Sequence, residues 1–452
     1  MSSSKRMAER RSQKIEECMS PWQECLPQSE LWEAVMAALT AGRRYNHAAC
    51  GASRLVCRSW ARAWGPAQLT ALRVNGEADQ MPAEWAERVP NLEFLDCSGW
   101  RYSYSLSDVR HLVPPLQTLT GITSLDLSLC EAVTDRVLAT LTSLTGLTDL
   151  NLSQCSPLPD YGLTALRGLT RLTRLNLMQY GIDFDEWRDD RLLTFLPCLT
   201  NLTDLQLSAC GGVTEEGLMA LQPLKYLAVL DLSNCLVEDD WLTALRPLKQ
   251  LGTLNLAACP RITGRGLHAL QSVRTLDLSE SGVLEDGLSE LQSMTGLTCL
   301  HLSAVKLSQN FSCDEYVGLL QPLTGLTCLN ISSWQLTQAG LRNLQTLTSL
   351  TCLDLTACGL SDSDMVPVQQ LTRLTSLRLS CNRLTESGLA SLTSLPGLIS
   401  LDYPANDGSN LSTSVIDLGP HPPELCSLKS LASLNTTCAC QEGSSIPSLL
   451  IC

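Results

Sequence analysis

The chain repeats one short pattern along most of its length. The unit Leu-x-x-Leu-x-Leu-x-x-Cys/Asn recurs at intervals of 22 to 30 residues, most of them 24 or 25. Its second leucine stands at Leu95, Leu125, Leu150, Leu175, Leu205, Leu230, Leu254, Leu276, Leu300, Leu329, Leu353, Leu377 and Leu401. A weaker copy lies at Leu431. Repeats of this length predict one stacked array, because a single unit cannot bury its own apolar face.

Each repeat combines two periodicities. Leu125 and Leu127 alternate with Ser124, Asp126 and Ser128, which is typical of a short strand with one buried face. The second half of a repeat contains leucines three residues apart, which indicates one apolar helix face. A threonine directly precedes an acidic residue at Thr134, Thr214 and Thr385 and predicts the helix N-cap.

The ninth position of the pattern is most often cysteine. Asparagine replaces it at Asn382 and Asn406, and the cysteines are Cys130, Cys155, Cys210, Cys235, Cys259 and Cys358. A small polar side chain at this turn can point inward and satisfy backbone groups that the bend leaves unpaired. We therefore expect these cysteines to be structural. Metal binding by this row is disfavoured, because identical positions on adjacent strands do not form a closed four-ligand shell.

These motifs resemble the cysteine-containing, ribonuclease-inhibitor-like class of leucine-rich repeats over about residues 91–406. The resemblance implies an α/β solenoid: a horseshoe with parallel β-strands on the concave face and helices on the convex face. Members of this class are typical of F-box substrate adaptors and of some cytoplasmic scaffolds.

The segment before the array has a different composition. Residues 21–65 contain Leu-Pro at 26–27, an apolar stripe of Leu31, Val35 and Leu39, and the run Val-Cys-Arg-Ser-Trp at 56–60. This segment resembles an F-box, which implies docking to a Skp-type adaptor of a cullin ubiquitin ligase. The family's core and adaptor-facing positions would be Leu26, Pro27, Leu31, Val35, Leu55, Val56 and Trp60. The alternative is a pair of helices that only cap the solenoid.

The sequence thus predicts five segments. Residues 1–20 are expected to be disordered, 21–65 F-box-like, and 66–90 a connector and N-terminal cap. Residues 91–406 form the array of about thirteen repeats, and 407–452 form a C-terminal cap and tail.

Charge and cysteine content narrow the possible partners and compartment. The net charge is −14, with about +2 in residues 1–90 and −16 in the rest, so we expect neither nucleic acid nor an anionic membrane as the main partner. Twenty-one cysteines, an odd number, follow a polar N-terminus without an apolar signal region. Reduced thiols in a cytoplasmic or nuclear protein are therefore expected.

The residue between the two inward leucines of each strand is expected to face outward and to contact a protein substrate. From the second repeat to the twelfth these are Asp126, Asn151, Asn176, Gln206, Asp231, Asn255, Asp277, His301, Asn330, Asp354 and Arg378, with Asp96 and Asp402 at the two ends. Two insertions, 180–192 and 306–316, add Trp187 and Phe311 as aromatic contact candidates.

Cys299, Cys328 and Cys352 share one outward position beside His301, where a metal or redox site is conceivable. Their identical Thr-Cys-Leu spelling favours repeat duplication instead. The sequence contains no phosphate-binding loop, metalloprotease motif or nucleophile elbow, so we expect no catalytic activity, cofactor or metal.

Two functions are compatible with these features. The first is the substrate-recognition subunit of an SCF-type cullin E3 ubiquitin ligase, with residues 21–65 on the Skp-type adaptor and the array on a protein substrate. The alternative is a non-catalytic interaction scaffold of the cytoskeleton or ciliary axoneme.

Overall fold

The computed structural model describes residues 70–73, 91–98, 113–130, 133–155, 160–179, 194–211, 213–305, 312–385, 387–388, 391–402 and 433–435. The chain divides into two units, Met1–Pro66 and Ala67–Cys452. All described residues belong to the second unit. Within them, no helix has the length and apolar character that a bilayer span requires.

Within these ranges, fifteen three-residue strands form a single sheet in which every neighbouring pair is parallel and strand order follows chain order. The strands are β1 Ala71–Arg73, β2 Phe94–Asp96, β3 Ser124–Asp126, β4 Asp149–Asn151, β5 Arg174–Asn176, β6 Asp204–Gln206, β7 Val229–Asp231, β8 Thr253–Asn255, β9 Thr275–Asp277, β10 Cys299–His301, β11 Cys328–Asn330, β12 Cys352–Asp354, β13 Ser376–Arg378, β14 Ser400–Asp402 and β15 Ser433–Asn435. Each pairs with the next at the same repeat position.

Short helices return the chain from one strand to the next. The α-helices are α1 Val113–Thr118, α2 Asp135–Leu141, α3 Asp160–Leu163, α4 Glu215–Met219, α5 Glu285–Leu291, α6 Cys313–Leu319 and α7 Gln338–Asn343. The 3₁₀ helices are Thr164–Gly168, Leu196–Cys198, Asp239–Leu245, Leu267–Ala269, Leu344–Thr346, Asp362–Gln370 and Ser391–Ser394. The repeat of 22 residues between Leu254 and Leu276 contains only a three-residue 3₁₀ helix. A 3₁₀ helix rises further per residue than an α-helix, so it spans the same distance with fewer residues.

The predicted stacking of leucines is confirmed. The middle residues of successive strands pair directly, as Leu125 does with Leu150 and Leu329 with Leu353. Leu125, Leu150, Leu230 and Leu353 are at most 2% exposed. One continuous leucine-rich core therefore runs through the array and is shared between neighbours.

The ninth-position cysteines have the structural role that the sequence predicts. In five of the six, Sγ donates a hydrogen bond of 3.1 to 3.4 Å to a carbonyl of the preceding repeat. Asn382 does the same, with Nδ2 2.8 Å from the Leu355 oxygen. Trp334 stands at this position in its own repeat, and its Nε1 donates to the Leu302 oxygen at 2.8 Å. Thiol, amide and indole groups can thus each supply the inward donor, whereas the buried Val305 at the same position shows that the turn also forms without one.

A second set of contacts joins the helical sides of adjacent repeats. The backbone N–H of Thr337 donates to Oδ1 of Asp314 at 2.9 Å, and its hydroxyl donates to Oδ2 at 2.5 Å. Asp362 holds Thr385 in the same way at 2.8 and 2.5 Å, and the pKa of this carboxyl is lowered mainly by the bond from the Thr385 hydroxyl. The clamp also accounts for a glycine in each of these two repeats. A Cβ on Gly340 or Gly388 would lie 2.3 Å from Oδ1 of Asp314 or Asp362.

The structure differs from the sequence-based expectations in three places. The sheet gains β1, within the predicted connector 66–90, and β15, centred on Leu434 rather than near Leu431. Seven of the fourteen described helices are 3₁₀ helices, and two of these seven directly follow an α-helix in the same repeat. Among the three predicted N-caps, the Thr214 side chain accepts a bond from the Gly217 N–H, whereas the Thr134 side chain makes no capping bond within the described residues.

Candidate functional site

The residues predicted to face outward form one row across the sheet. We call the third residues of β2 to β14 the central column. They lie side by side because the strands pair in register, as Asp126 does with Asn151 and Asn330 with Asp354. Their exposure is lower than expected for a solvated face: Asp96, Asp126 and Asp231 are only 5%, 7% and 8% exposed.

Most of the central column also builds the turn after each strand. In nine repeats the side-chain Oδ1 accepts a bond of 2.8 to 3.0 Å from the backbone N–H two residues later. The donors of the nine bonds belong to Ser98, Ser128, Ser153, Met178, Ser233, Ala257, Ser279, Ser332 and Thr356. Aspartate and asparagine readily make this bond to their own backbone. Their recurrence in the column therefore has a structural cause as well as any binding role.

Three members of the central column are neither aspartate nor asparagine. Gln206 donates through Nε2 to Asp204 at 2.6 Å, and Arg378 lies 3.5 Å from Asp354. The Nε2 of His301 lies 3.2 Å from the sulfur of Cys299. These three side chains interact with other side chains of the outer face. They are the column members that can change partner without opening a turn.

Burial raises the pKa of several carboxyl groups in the central column. Desolvation raises the pKa of Asp126, with a smaller contribution from the neighbouring Asp96. Desolvation likewise raises the pKa of Asp231, and Asp277 adds to it. Asp402 is shifted in the same direction for the same main reason. Acidic groups therefore crowd one face of the sheet, which disfavours phosphate and favours cationic or hydrogen-bonding ligands.

A groove crosses five repeats at the N-terminal ends of the strands. It has a volume of about 550 Å³ and is lined by Thr123, Gly146, Thr148, Arg171, Thr173, Asn201, Thr203 and Tyr226. Its floor includes a threonine ladder in which each hydroxyl donates to the carbonyl of the threonine one repeat earlier, at 3.0 to 3.1 Å. The ladder fixes the backbone beneath the groove.

Tyr226 and Arg171 give this groove the residue types that dominate protein interfaces. The Tyr226 side chain is 63% exposed, although aromatic rings are scarce in the chain. Reasoning from sequence missed both residues, because the groove does not follow the central column. The sequence did contain a signal for Tyr226. This tyrosine stands at the repeat position that is occupied by Gly146, Arg171 and Asn201 in the three preceding repeats.

One cluster combines sulfur and imidazole ligands. The ligand atoms of Cys299, His301 and Cys328 all lie within 4.8 Å of one another on the outer face of β10 and β11. The sequence places these residues together but favours duplication as their explanation. The structure adds the orientation of the imidazole toward the sulfur.

Comparison with known proteins supports the fold. A family model described as Leucine Rich repeat matches residues 198–221, 346–368 and 370–392. Among solved structures the chain is similar to a TLR13–ssRNA13 complex, with a TM-score of 0.50 and 20% identity, over 82% of this chain and 60% of that chain. The fold is an α/β leucine-rich-repeat solenoid. An internalin (inlF) from Listeria monocytogenes aligns with 21% identity and a TM-score of 0.47, over 82% of this chain and 88% of that one. No curated protein sequence matches the chain.

Part of the predicted site lies outside the described residues of the leucine-rich-repeat chain. This applies to Trp187 and Phe311 in the insertions and to the whole F-box-like segment. The segment's predicted contact residues are Leu26, Pro27, Leu31, Val35, Leu55, Val56 and Trp60. Their roles stay predictions.

Proposed function

We propose that this chain is a non-catalytic protein-binding array that serves as the substrate-recognition subunit of a cullin-type ubiquitin ligase. The observation that supports protein binding is the in-register parallel sheet, which presents one continuous polar surface of many repeats on a rigid core. Such a surface suits an extended protein partner better than a small molecule, because the groove described above is open rather than enclosed.

The groove at the N-terminal strand ends is proposed as the main partner contact. Tyr226 and Arg171 would act as anchors, since a few aromatic and arginine residues usually carry most of the binding energy. Gln206, His301 and Arg378 would extend the contact across the sheet. The acidic central column would repel a phosphate backbone, which makes nucleic acid a poor ligand here.

The groove can be tested separately from the ligase assignment. Affinity purification of the Tyr226→Ala/Arg171→Ala variant should recover the array's protein partners at much lower yield, since losing two anchors costs at least about 2 kcal/mol. Met219→Ala is the matched control, because Met219 is also an exposed apolar side chain (47%) but belongs to helix α4. Equal partner recovery by both variants would contradict the groove assignment.

The ligase assignment depends on the N-terminal segment. Its support is the Val-Cys-Arg-Ser-Trp run at 56–60 ahead of cysteine-type repeats. A pull-down with a purified Skp-type adaptor should capture the full chain and should fail with Leu31→Asp/Trp60→Ala. Absence of adaptor binding by the wild-type chain would remove this part of the proposal and leave the binding array intact.

The alternative is an interaction scaffold on the cytoskeleton or a ciliary axoneme, with the N-terminal helices acting only as a cap. Exposed apolar residues away from the groove, such as Leu284 and Val366, favour a chain with more than one contact surface. Co-sedimentation with filaments in the absence of an adaptor would support this function over the first.

A further inference from the structure

Three neighbouring strands carry cysteine at the same outward position. Cys299 of β10 pairs directly with Cys328 of β11, which in turn pairs with Cys352 of β12. His301 follows Cys299 by two residues, so both side chains leave the strand on the same face. Two sulfurs and one imidazole are thereby brought to one side of a rigid sheet.

The distances are close to those of a tetrahedral metal site. The Cys299 sulfur and the His301 Nε2 are 3.2 Å apart, and all three ligand atoms lie within 4.8 Å of each other. With Zn–S near 2.3 Å and Zn–N near 2.0 Å, tetrahedral zinc separates such ligands by about 3.5 to 3.8 Å. The observed separations therefore exceed the tetrahedral ones by at most about 1 Å.

Repeat duplication explains the cysteines but does not explain the histidine. Ten of the thirteen central-column residues are aspartate or asparagine, and nine of these make the turn bond described above. His301 replaces that residue at the strand where the row of outward cysteines begins. Its Nε2 approaches the neighbouring sulfur instead.

Accessibility separates these ligands from the cysteines of the core. Cys299 and Cys328 are half-buried and open to the outer face, whereas the described ninth-position cysteines are buried. Burial raises the pKa of Cys155, Cys210, Cys259 and Cys358 to about 12, and their sulfurs donate to backbone carbonyls. Such thiols are poor metal ligands because the thiolate is the binding species.

We propose that Cys299, His301 and Cys328 bind one Zn²⁺ on the outer face of the sheet, with the fourth coordination position open to water or to a partner's side chain. The two thiols release their protons to solvent on binding, and the imidazole binds as the neutral ring. The resulting zinc dithiolate has no net charge. Asp277, the register neighbour of His301 on β9, adds negative charge beside the cation.

The test uses the full chain, reduced and freed of metal, titrated with Co²⁺ and then displaced by Zn²⁺. We expect one equivalent of Co²⁺ with the sulfur-to-cobalt absorption of thiolate ligation. The Cys299→Ser/Cys328→Ser variant should lose this signal. His301→Asn installs the residue that most repeats carry, so the turn is kept, and it should weaken binding by at least about tenfold.

The controls address the other thiols of the chain. Cys352→Ser removes the third cysteine of the same row, and Cys198→Ser removes an exposed one elsewhere. Both should bind Co²⁺ as the wild type does. Unchanged binding by the Cys299→Ser/Cys328→Ser variant, equal loss in Cys352→Ser, or no thiolate absorption in the reduced wild-type chain would each overturn the proposal.

Discussion

Replacing Gly340 by alanine tests whether adjacent repeats are joined through the Asp314–Thr337 clamp. Gly340 lies inside helix α7, where alanine normally stabilises a helix by about 0.5 to 1 kcal/mol. Here, however, the new Cβ would lie 2.3 Å from Oδ1 of Asp314, whereas an ordinary contact begins near 3.4 Å. The carboxylate of the preceding repeat would have to retreat by about 1 Å.

That retreat removes both bonds to Thr337, because a donor–acceptor distance of 2.9 Å would lengthen to almost 4 Å. Each bond contributes about 0.5 to 1.5 kcal/mol, and the partly exposed position favours the lower half of that range. With residual crowding against the Asp314 backbone, Gly340→Ala should lower the free energy of unfolding by about 1 to 2 kcal/mol.

The decisive measurement is a double-mutant cycle. In the Asp314→Ala background the clamp is already absent, so Gly340→Ala should be neutral or stabilising by up to about 1 kcal/mol. Gly318→Ala in helix α6 is the matched control, since its new Cβ would lie 3.4 Å from Nδ2 of Asn343, an ordinary contact. It should be neutral or stabilising in both backgrounds.

Urea unfolding followed by tryptophan fluorescence, to which the buried Trp334 contributes, gives the free energies, and hydrogen exchange at the Leu341 N–H reports the local stability of α7. If Gly340→Ala changes the free energy of unfolding equally in the presence and absence of the Asp314 carboxylate, the clamp does not explain the glycine.

Three further predictions concern the turns and the buried ionisable groups. Burial raises the pKa of Cys210 from an ordinary value of 9.0 to about 12, so as pH rises the thiol loses its proton first in the unfolded chain. The free energy of unfolding should therefore fall between pH 9 and 12. Cys210→Ser should reduce that fall, as measured by urea midpoints in the presence of a reductant. Burial raises the pKa of Asp231, so its carboxylate destabilises the fold increasingly as pH rises above about 4. The free energy of unfolding of Asp231→Asn relative to that of the wild type should therefore increase from about pH 3 to 7. A difference that stays constant over this range would contradict the prediction. Ala357 has a φ of 56°, a left-handed conformation that favours glycine. Ala357→Gly should therefore raise the thermal midpoint or leave it unchanged, with a gain in the free energy of unfolding of at most about 1 kcal/mol. Clear destabilisation would contradict this backbone conformation.

Much of the array is determined by the sequence itself. The spacing from Leu125 to Leu150 and onward fixes which residues pair between strands, because a period of two sets the buried face and equal repeats bring equal positions together. The inward donor at Cys235 or Asn382 is also a local property, since the turn brings the ninth side chain within reach of a carbonyl of the preceding repeat.

Only the tertiary structure decides what side chains of successive repeats do to each other. The groove at Tyr226, the contact between Gly340 and Asp314 and the approach of His301 to Cys299 depend on side-chain directions and on distances of a few ångströms. The groove and the glycine contact join residues more than twenty positions apart. A repeat pattern specifies the register of such residues, but their separations follow from packing, which depends on the lengths and shapes of the neighbouring units.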